Sequence, residues 1–452
     1  MVTMTAEETW EAPQAGGPLD ATVTIPGSKS LSNRYLILAA LGSRPVRLTG
    51  LLRSRDTDLM IGALEALGVD CRIDPNNATN VTVIPPAGGR FRGGARVDCG
   101  LAGTVMRFVP GLAMLADGPT HFDGDEQAYR RPMRPLLEGL TRLGARIEYL
   151  GQEGFLPFAL TPPDRLVGRE VTIDSSASSQ FISGLLLLAA RAEGTMTVVH
   201  SAQHLPSLPH IAMTVEDLRQ AGVRVQANPD RCRWNVEGRG TAGTRLPDQV
   251  QVEPDLSNAA PFLGAALIGG GQVSVPNWPD HTTQPGGLLP GYLQTMGAQV
   301  DMVPNGQGSA TCRVSGGEAI HGLGDFDLSP AGEIVPSIAA ILVFANGPSR
   351  LHGIGHLRGH ETNRLKALAT EITRIGGQAC ELDDGLAIEP VPAQRTHGAV
   401  METYADHRMA TFAAMIGLRI PGIRVRNIGT TAKTMPDFPG MWKRMLAGEG
   451  QG

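Results

Sequence analysis

Apolar runs of helical length recur along the 452-residue chain, each closed by a glycine-containing turn and followed by a β-rich segment. They read "RYLILAALGSRPVRLTGL", "RFVPGLAMLADGPTHFDG", "FISGLLLLAARAEGTMTVVHS", "PFLGAALIGGGQVSVPN", "SIAAILVFANGPSRLHGI" and "FAAMIGLRIPGIRVRNI". The turn glycines Gly42, Gly118, Gly194, Gly271, Gly347 and Gly422 advance by roughly 76 residues each time. A second unit interleaves with the first: "ALEALGVDCRI", "GLTRLGARIEYL", "DLRQAGVRVQA", "YLQTMGAQVDMV" and "ITRIGGQACEL". In each, a helix ends at a glycine suited to the left-handed C′ position (Gly68, Gly144, Gly222, Gly297 or Gly376), and a strand follows. The pattern predicts about six copies of an α/β unit with two helices and several strands, the last copy lacking its second half. The strand around "ATVTIPG" is a candidate to complete it. Such a unit is too long for a familiar solenoid, and six copies divide naturally into two domains of three, one continuous array being the alternative. Crossovers near Pro26-Gly27 and near "VEPD", residues 252–255, would let both terminal segments share one domain.

Polar residues gather at one place in the repeat, the entry to its first helix. They are Lys29, Ser30 and Arg34; Gly103, Thr104 and Arg107; Ser178, Ser179 and Gln180; Asp255, Ser257 and Asn258; Glu333; and Asp406, His407 and Arg408. A serine there is ordinarily a cap, and a carboxylate ordinarily a solvated first-turn charge. A lysine and an arginine together fit neither reading, because cations in a first turn oppose the positive end of the helix dipole unless an anion sits there. "GSKS" is not a phosphate-binding P-loop, since Ser28 separates Gly27 from Lys29. The cations Lys29, Arg34, Arg131, Arg364, Arg408 and Lys433, with Glu333 and Glu361, fit a site that grips phosphates and carboxylates while moving protons.

Composition narrows the ligand. A formal charge of −5 argues against a nucleic-acid or membrane-surface partner, so the anion is expected to be small. Cys71, Cys99, Cys232, Cys312 and Cys380 are odd in number and scattered, and read as reduced residues of a cytosolic protein. The start of the chain lacks the basic and apolar regions of a signal peptide and reads as a loose tail. Lysine occurs only at 29, 366, 433 and 443 in an arginine-rich chain, consistent with a need for a compact ammonium at some of these positions.

Taken as an ordered set, "PGSKSLSNR", "AGTVMR", "RRPM", "SSQF", "HETNR", "DHRMA" and "AKTMPD" resemble the 5-enolpyruvylshikimate-3-phosphate (EPSP) synthase family from about residue 19 to about residue 445. The resemblance implies an inside-out α/β fold of two domains, each of three βαβαββ units, with the active site in the interdomain cleft. Residues 18–26 and 254–447 would form domain I and residues 27–253 domain II, between a flexible tail at 1–17 and a short one at 448–452. It implies transfer of the enolpyruvyl group of phosphoenolpyruvate to the 5-hydroxyl of shikimate 3-phosphate, without metal or organic cofactor, by a cytoplasmic monomer. Carried onto matching positions, Lys29, Ser30, Arg34, Ser178, Ser179, Gln180, Ser207, Glu333 and His360 would hold shikimate 3-phosphate. Lys29, Gly103, Arg131, Gln180, Arg364, Arg408 and Lys433 would surround phosphoenolpyruvate. Lys29, Glu333 and Glu361 would be catalytic, Glu361 for the methylene proton and Glu333 with Lys29 for the 5-hydroxyl. Space at Gly103 implies sensitivity to the family's inhibitor glyphosate.

Five positions depart from the family's usual residues: Leu101 for Asn, His210 for Tyr, Glu333 for Asp, His360 for Lys and Asn363 for Asp. His360 exchanges a permanent cation for a group titrating near neutrality. Three rivals have distinct signatures. A UDP-N-acetylglucosamine enolpyruvyl transferase would carry Lys-Asn at Lys29-Ser30 and a reactive cysteine within "DGDEQAYRRPM", an RNA 3′-phosphate cyclase would need ATP, and a silent anion-binding protein would bind both substrates without turnover.

Overall fold

The computed structural model describes residues 9–202, 205, 207–306 and 308–449. The chain divides into two compact units, Gly27–Val252 and the discontinuous Met1–Pro26 with Glu253–Gly452. The unit Gly27–Val252 contains helices α1 (Lys29–Ala40), α2 (Arg55–Ala66), α3 (Gly103–Ala113), α4 (Arg134–Arg142), α5 (Gln180–Ala189) and α6 (Leu208–Gln220). The discontinuous unit contains α7 (Leu256–Gly269), α8 (Leu289–Thr295), α9 (Val335–Leu342), α10 (Arg364–Arg374), α11 (His407–Gly417) and α12 (Phe438–Leu446).

Within Gly27–Val252 there are three four-stranded sheets of one design. In each, a leading strand pairs parallel with the strand that follows the first helix, and a returning hairpin adds two antiparallel strands. Val171 of Glu170–Ile173, for instance, lies beside Val198 of Thr195–His200, which pairs in turn with Arg233–Glu237. The leading strand of the first sheet is Gln249–Gln251, supplied by the far end of the unit and paired parallel with Arg47–Thr49. The first helix of each copy is buried on nearly every face, as α1, α3 and α5 show, with the polar Ser32, Asn33 and Arg34 buried along with the apolar run of α1, while α2, α4 and α6 bury one side. Three buried helices inside three sheets make the inside-out arrangement. A Cβ at Gly184 would lie 2.2 Å from the Arg107 carbonyl oxygen, so only glycine lets α3 and α5 approach so closely.

The discontinuous unit repeats the design, with α7, α9 and α11 buried. The strand Leu19–Thr22 leads the sheet of its first copy, pairing parallel with Gly271–Ser274. "ATVTIPG" therefore does not complete the last copy. Thr9–Glu11 does that, antiparallel to Arg424–Arg426 in a three-stranded sheet with Val400–Met401. This corrects the expectation of a loose tail over residues 1–17 as far as residues 9–17 are concerned. Trp10 meets Phe438 edge-on with ring centroids 6.4 Å apart, and the amides of Ala12 and Ala15 bond to the carbonyls of Ile423 and Leu418. A three-residue strand is too short to show alternation, so no local pattern distinguishes it from its polar surroundings. Residues 1–8 and 450–452 lie outside the described residues. The five helix-ending glycines behave as the pattern required, with φ of +88° at Gly68, +104° at Gly144, +73° at Gly222, +101° at Gly297 and +84° at Gly376.

Candidate functional site

In the unit Gly27–Val252 the entries to α1, α3 and α5 carry the expected residues. Ser28 caps α1, its hydroxyl accepting from the Leu31 amide at 3.5 Å, and Lys29 Nζ lies 3.3 Å from Asp56 Oδ2. Ser30 supplies its carbonyl oxygen to Arg34 Nη1 at 3.0 Å. Arg34 is only 2% exposed: Nε donates to Thr214 Oγ1 at 2.9 Å, Nη2 to the His210 carbonyl at 3.0 Å, and Asp217 lies 3.9 Å away. Burial lowers its pKa to about 10 against the opposing pull of Asp217. Much of Arg34 thus serves to join α1 to α6. Asn33 ties α1 to α3 through Thr104 Oγ1 at 2.9 Å.

At the start of α3, an added Cβ on Gly103 would stand 3.1 Å from both Arg131 Nη2 and Gln180 Oε1, and 3.4 Å from Arg107 Nη1. Gly103, Arg131 and Gln180 are therefore brought together, with Arg107 beneath them. Arg131 Nη1 donates to the Leu101 carbonyl at 2.9 Å. That contact uses backbone, so it does not depend on which side chain stands at 101. Arg107 Nε is buried without a hydrogen-bond partner among the described residues, and burial, followed by Arg131, holds its guanidinium well below the usual pKa. Two like-charged guanidinium groups over a helix start create a strongly positive site.

The serine-rich entry to α5 is held from behind. Ser175 donates its amide to His200 Nδ1 at 3.0 Å and its hydroxyl to the Ser178 carbonyl, while Ser178 Oγ accepts from the Gln180 amide at 3.3 Å. Ser178 partly fulfils the bland capping role; Ser179, buried at the N-cap, makes no side-chain capping bond. Ser207 caps α6 in the left-handed region, φ +54°, again without a side-chain capping bond. Ser175 and His200 were not singled out from the sequence, and only the distance between them in the chain concealed their link.

The discontinuous unit carries the second group of residues. Arg364, the first residue of α10 and 1% exposed, is enclosed by three carboxylates. Its Nε lies 2.7 Å from Asp406 Oδ2, Nη1 3.0 Å from Glu333 Oε2, and Nη2 3.0 Å from Glu361 Oε2. Lys433 bonds the other oxygen of Glu361. Burial disfavours the guanidinium charge, but Glu333, Asp406 and Glu361 outweigh it and raise the pKa above its ordinary value. Conversely, burial alone would raise the Glu333 pKa, yet Arg364, with Arg408 behind it, holds it well below the carboxylate range. Arg408 donates Nη1 to the Ser257 carbonyl at 2.8 Å and to Asn258 Oδ1 at 3.1 Å; its buried Nε has no hydrogen-bond partner among the described residues, with Glu333 Oε2 3.7 Å off. Asp406 caps α11 by accepting from the Arg408 amide at 2.8 Å, which fixes its carboxylate beneath Arg364.

His360 Nδ1 lies 3.1 Å from Arg364 Nη1. An arginine N–H can only donate, so Nδ1 accepts and the ring proton resides on Nε2. Burial, aided by Arg364 and opposed by Glu333, lowers its pKa and so favours the neutral ring. Asn363 caps α10 by accepting from the Lys366 amide at 3.1 Å, a role Asn fills as well as Asp. His407 is buried with its pKa pushed far down by that burial and by Arg408. Among the described residues no group of three or more His, Cys, Asp or Glu could hold a metal ion, and no helix is long and apolar enough to cross a membrane.

A family model described as EPSP synthase (3-phosphoshikimate 1-carboxyvinyltransferase) matches residues 13–442. A 3-phosphoshikimate 1-carboxyvinyltransferase of Bifidobacterium longum (strain DJO10A) is 64% identical over 439 residues, spanning 97% of this chain and 98% of the relative. One of Kocuria rhizophila is 47% identical over 98% of each chain. Among solved structures, an EPSP synthase of Acinetobacter baumannii superposes with a TM-score of 0.80 at 25% identity, covering 96% of this chain and 97% of that one. The enolpyruvyl transferase NikO of Streptomyces tendae shares the fold, with a TM-score of 0.71 at 20% identity over 96% of both chains.

Proposed function

The chain belongs to the EPSP synthase family, and from that membership we propose that it transfers the enolpyruvyl group of phosphoenolpyruvate to the 5-hydroxyl of shikimate 3-phosphate, releasing phosphate. The observation that carries the reading at residue level is the arrangement around Arg364. One buried guanidinium holds Glu333 on one terminal nitrogen and Glu361 on the other, with Arg408 and Lys433 alongside.

The reaction needs such an arrangement. Attack of the 5-hydroxyl oxygen on C2 of phosphoenolpyruvate forms a C–O bond while C3 gains a proton; phosphate then leaves C2 as C3 returns a proton. Arg364, Arg408 and Lys433, with Gly103, Arg131, Gln180 and Lys29, are assigned to the carboxylate and phosphate of phosphoenolpyruvate. Within the discontinuous unit, Arg364 and Arg408 are held by their own hydrogen bonds, and such fixed cations would stabilise the anions that develop during the reaction. Glu333 is an anion, the state needed to accept the hydroxyl proton, with Lys29 as its partner in that step. Glu361, touched by both Arg364 and Lys433, is assigned to the C3 proton. Ser30, Arg34, Ser178, Ser179, Gln180, Ser207, Glu333 and His360 are assigned to shikimate 3-phosphate. No nucleic acid or membrane enters the reading, and the protein is proposed to act in the cytoplasm as a monomer, which sedimentation at micromolar concentration would test.

The assignment is tested by phosphate release from purified protein with phosphoenolpyruvate, offering shikimate 3-phosphate and UDP-N-acetylglucosamine in parallel. Release with shikimate 3-phosphate alone is expected. Release with the UDP-sugar alone would replace the acceptor, and release with neither would remove the transferase reading.

A further inference from the structure

The amide of Asp406 donates to the Thr403 carbonyl at 2.8 Å, closing a four-residue turn. Both central residues are left-handed, Tyr404 with φ +54° and Ala405 with φ +57°. Turns with positive φ at both positions ordinarily use Asn-Gly, because a Cβ there crowds the backbone. This turn instead delivers the chain into α11, whose cap is Asp406 and whose second residue is Arg408. Backbone held in so unfavourable a conformation persists only where its surroundings impose it.

Glu371 supplies the constraint. Its side chain is wholly buried. One oxygen accepts from the Tyr404 hydroxyl at 2.7 Å, and the other from the Glu402 amide at 3.2 Å and from Arg374 Nε at 3.0 Å. Glu371 stands seven residues after Arg364 on α10, two turns on and therefore on the same face. One face of α10 thus holds both ends of the turn, Glu371 gripping Glu402 and Tyr404 while Arg364 grips Asp406.

We propose that Glu371 and Tyr404 are positioning residues. Their hydrogen bond holds the left-handed pair in place, and so sets where Asp406 presents its carboxylate to Arg364 and where Arg408 stands in the first turn of α11. Released from the hydroxyl, the turn relaxes toward negative φ and the two guanidinium groups lose their common reference. The inference rests on the assignment of Arg364 and Arg408 to phosphoenolpyruvate.

The test compares steady-state kinetics of Tyr404→Phe, the double variant Tyr404→Phe/Ala405→Gly, and Arg408→Ala, with melting temperatures recorded alongside. Tyr404→Phe removes only the hydroxyl from a residue that reaches the surface. It is expected to raise the phosphoenolpyruvate KM about tenfold, with the shikimate 3-phosphate KM within about twofold of the parent. Adding Ala405→Gly, which takes positive φ without steric cost, is expected to recover most of the loss. A purely structural hydroxyl would lower the melting temperature and leave both KM values alone, which overturns the proposal, as does a loss that glycine fails to recover. If Arg408→Ala leaves the phosphoenolpyruvate KM unchanged, the ligand assignment itself fails and takes the proposal with it; a rise there beside an unaltered Tyr404→Phe isolates the failure to the clamp.

Discussion

Gly103 stands where a single methyl group would meet two side chains assigned to the same ligand. The contacts of 3.1 Å to Arg131 Nη2 and Gln180 Oε1 are tight but made by flexible ends, so Gly103→Ala should fold and shift them rather than unfold the unit. The expected result is a phosphoenolpyruvate KM raised about tenfold, equivalent to roughly 1.4 kcal/mol, with the shikimate 3-phosphate KM little changed. An equal rise in both KM values would place Gly103 outside the phosphoenolpyruvate site. His360 offers a pH test with a definite sign. Its pKa is lowered in the unliganded protein, and an anion beside the ring would raise it. Binding then takes up a proton, so shikimate 3-phosphate affinity should be greatest below the unliganded pKa and fall as pH rises through the liganded one. Calorimetric titration between about pH 5 and 8 should show a steeper fall for the parent than for His360→Gln, with the ionisation of the ligand's own phosphate common to both. Identical profiles would remove His360 from that role.

At the scale of elements, the repeat was readable wherever hydrophobic period and glycine placement agreed. The buried helices α1, α3 and α5 announced themselves as continuous apolar runs, and the left-handed glycines closing α2, α4, α6, α8 and α10 were placed by the rule that a C′ residue favours glycine. Strand exchange was not readable, because the partner of a three-residue strand is set by topology rather than by local pattern. Thr9–Glu11 thus carries no local signal, and the strand around "ATVTIPG", a candidate to complete the last copy, pairs instead in the first copy of the discontinuous unit. The docked start of the chain yields its own prediction. Trp10→Ala should destabilise the discontinuous unit by about 1–2 kcal/mol, less than a fully buried aromatic because the ring is only partly covered. Thermal unfolding should show a midpoint a few degrees lower; an unaltered midpoint would mean that the strand adds nothing.

Across the whole molecule, charged motifs scattered over hundreds of residues become two compact sets, one in each unit. Residue types at the helix entries were legible in the sequence as a candidate anion site, although Lys29 and Arg34 also have protein partners in Asp56 and in Thr214 with the His210 carbonyl. Supporting contacts were not, because Asp406 under Arg364, His200 behind Ser175 and Glu371 behind Tyr404 join positions between 25 and 42 residues apart that share no motif. The role of Glu333 and Glu361 is the central chemical claim: two carboxylates on one guanidinium divide the proton transfers between them. The most direct measurement follows solvent deuterium into the C3 position of phosphoenolpyruvate during turnover with shikimate 3-phosphate, comparing the parent protein with Glu361→Gln. Assignment of Glu361 to the C3 proton requires incorporation by the parent, and in the variant a loss of both incorporation and turnover by about a hundredfold or more. Full deuterium exchange at the parental rate in Glu361→Gln would contradict it.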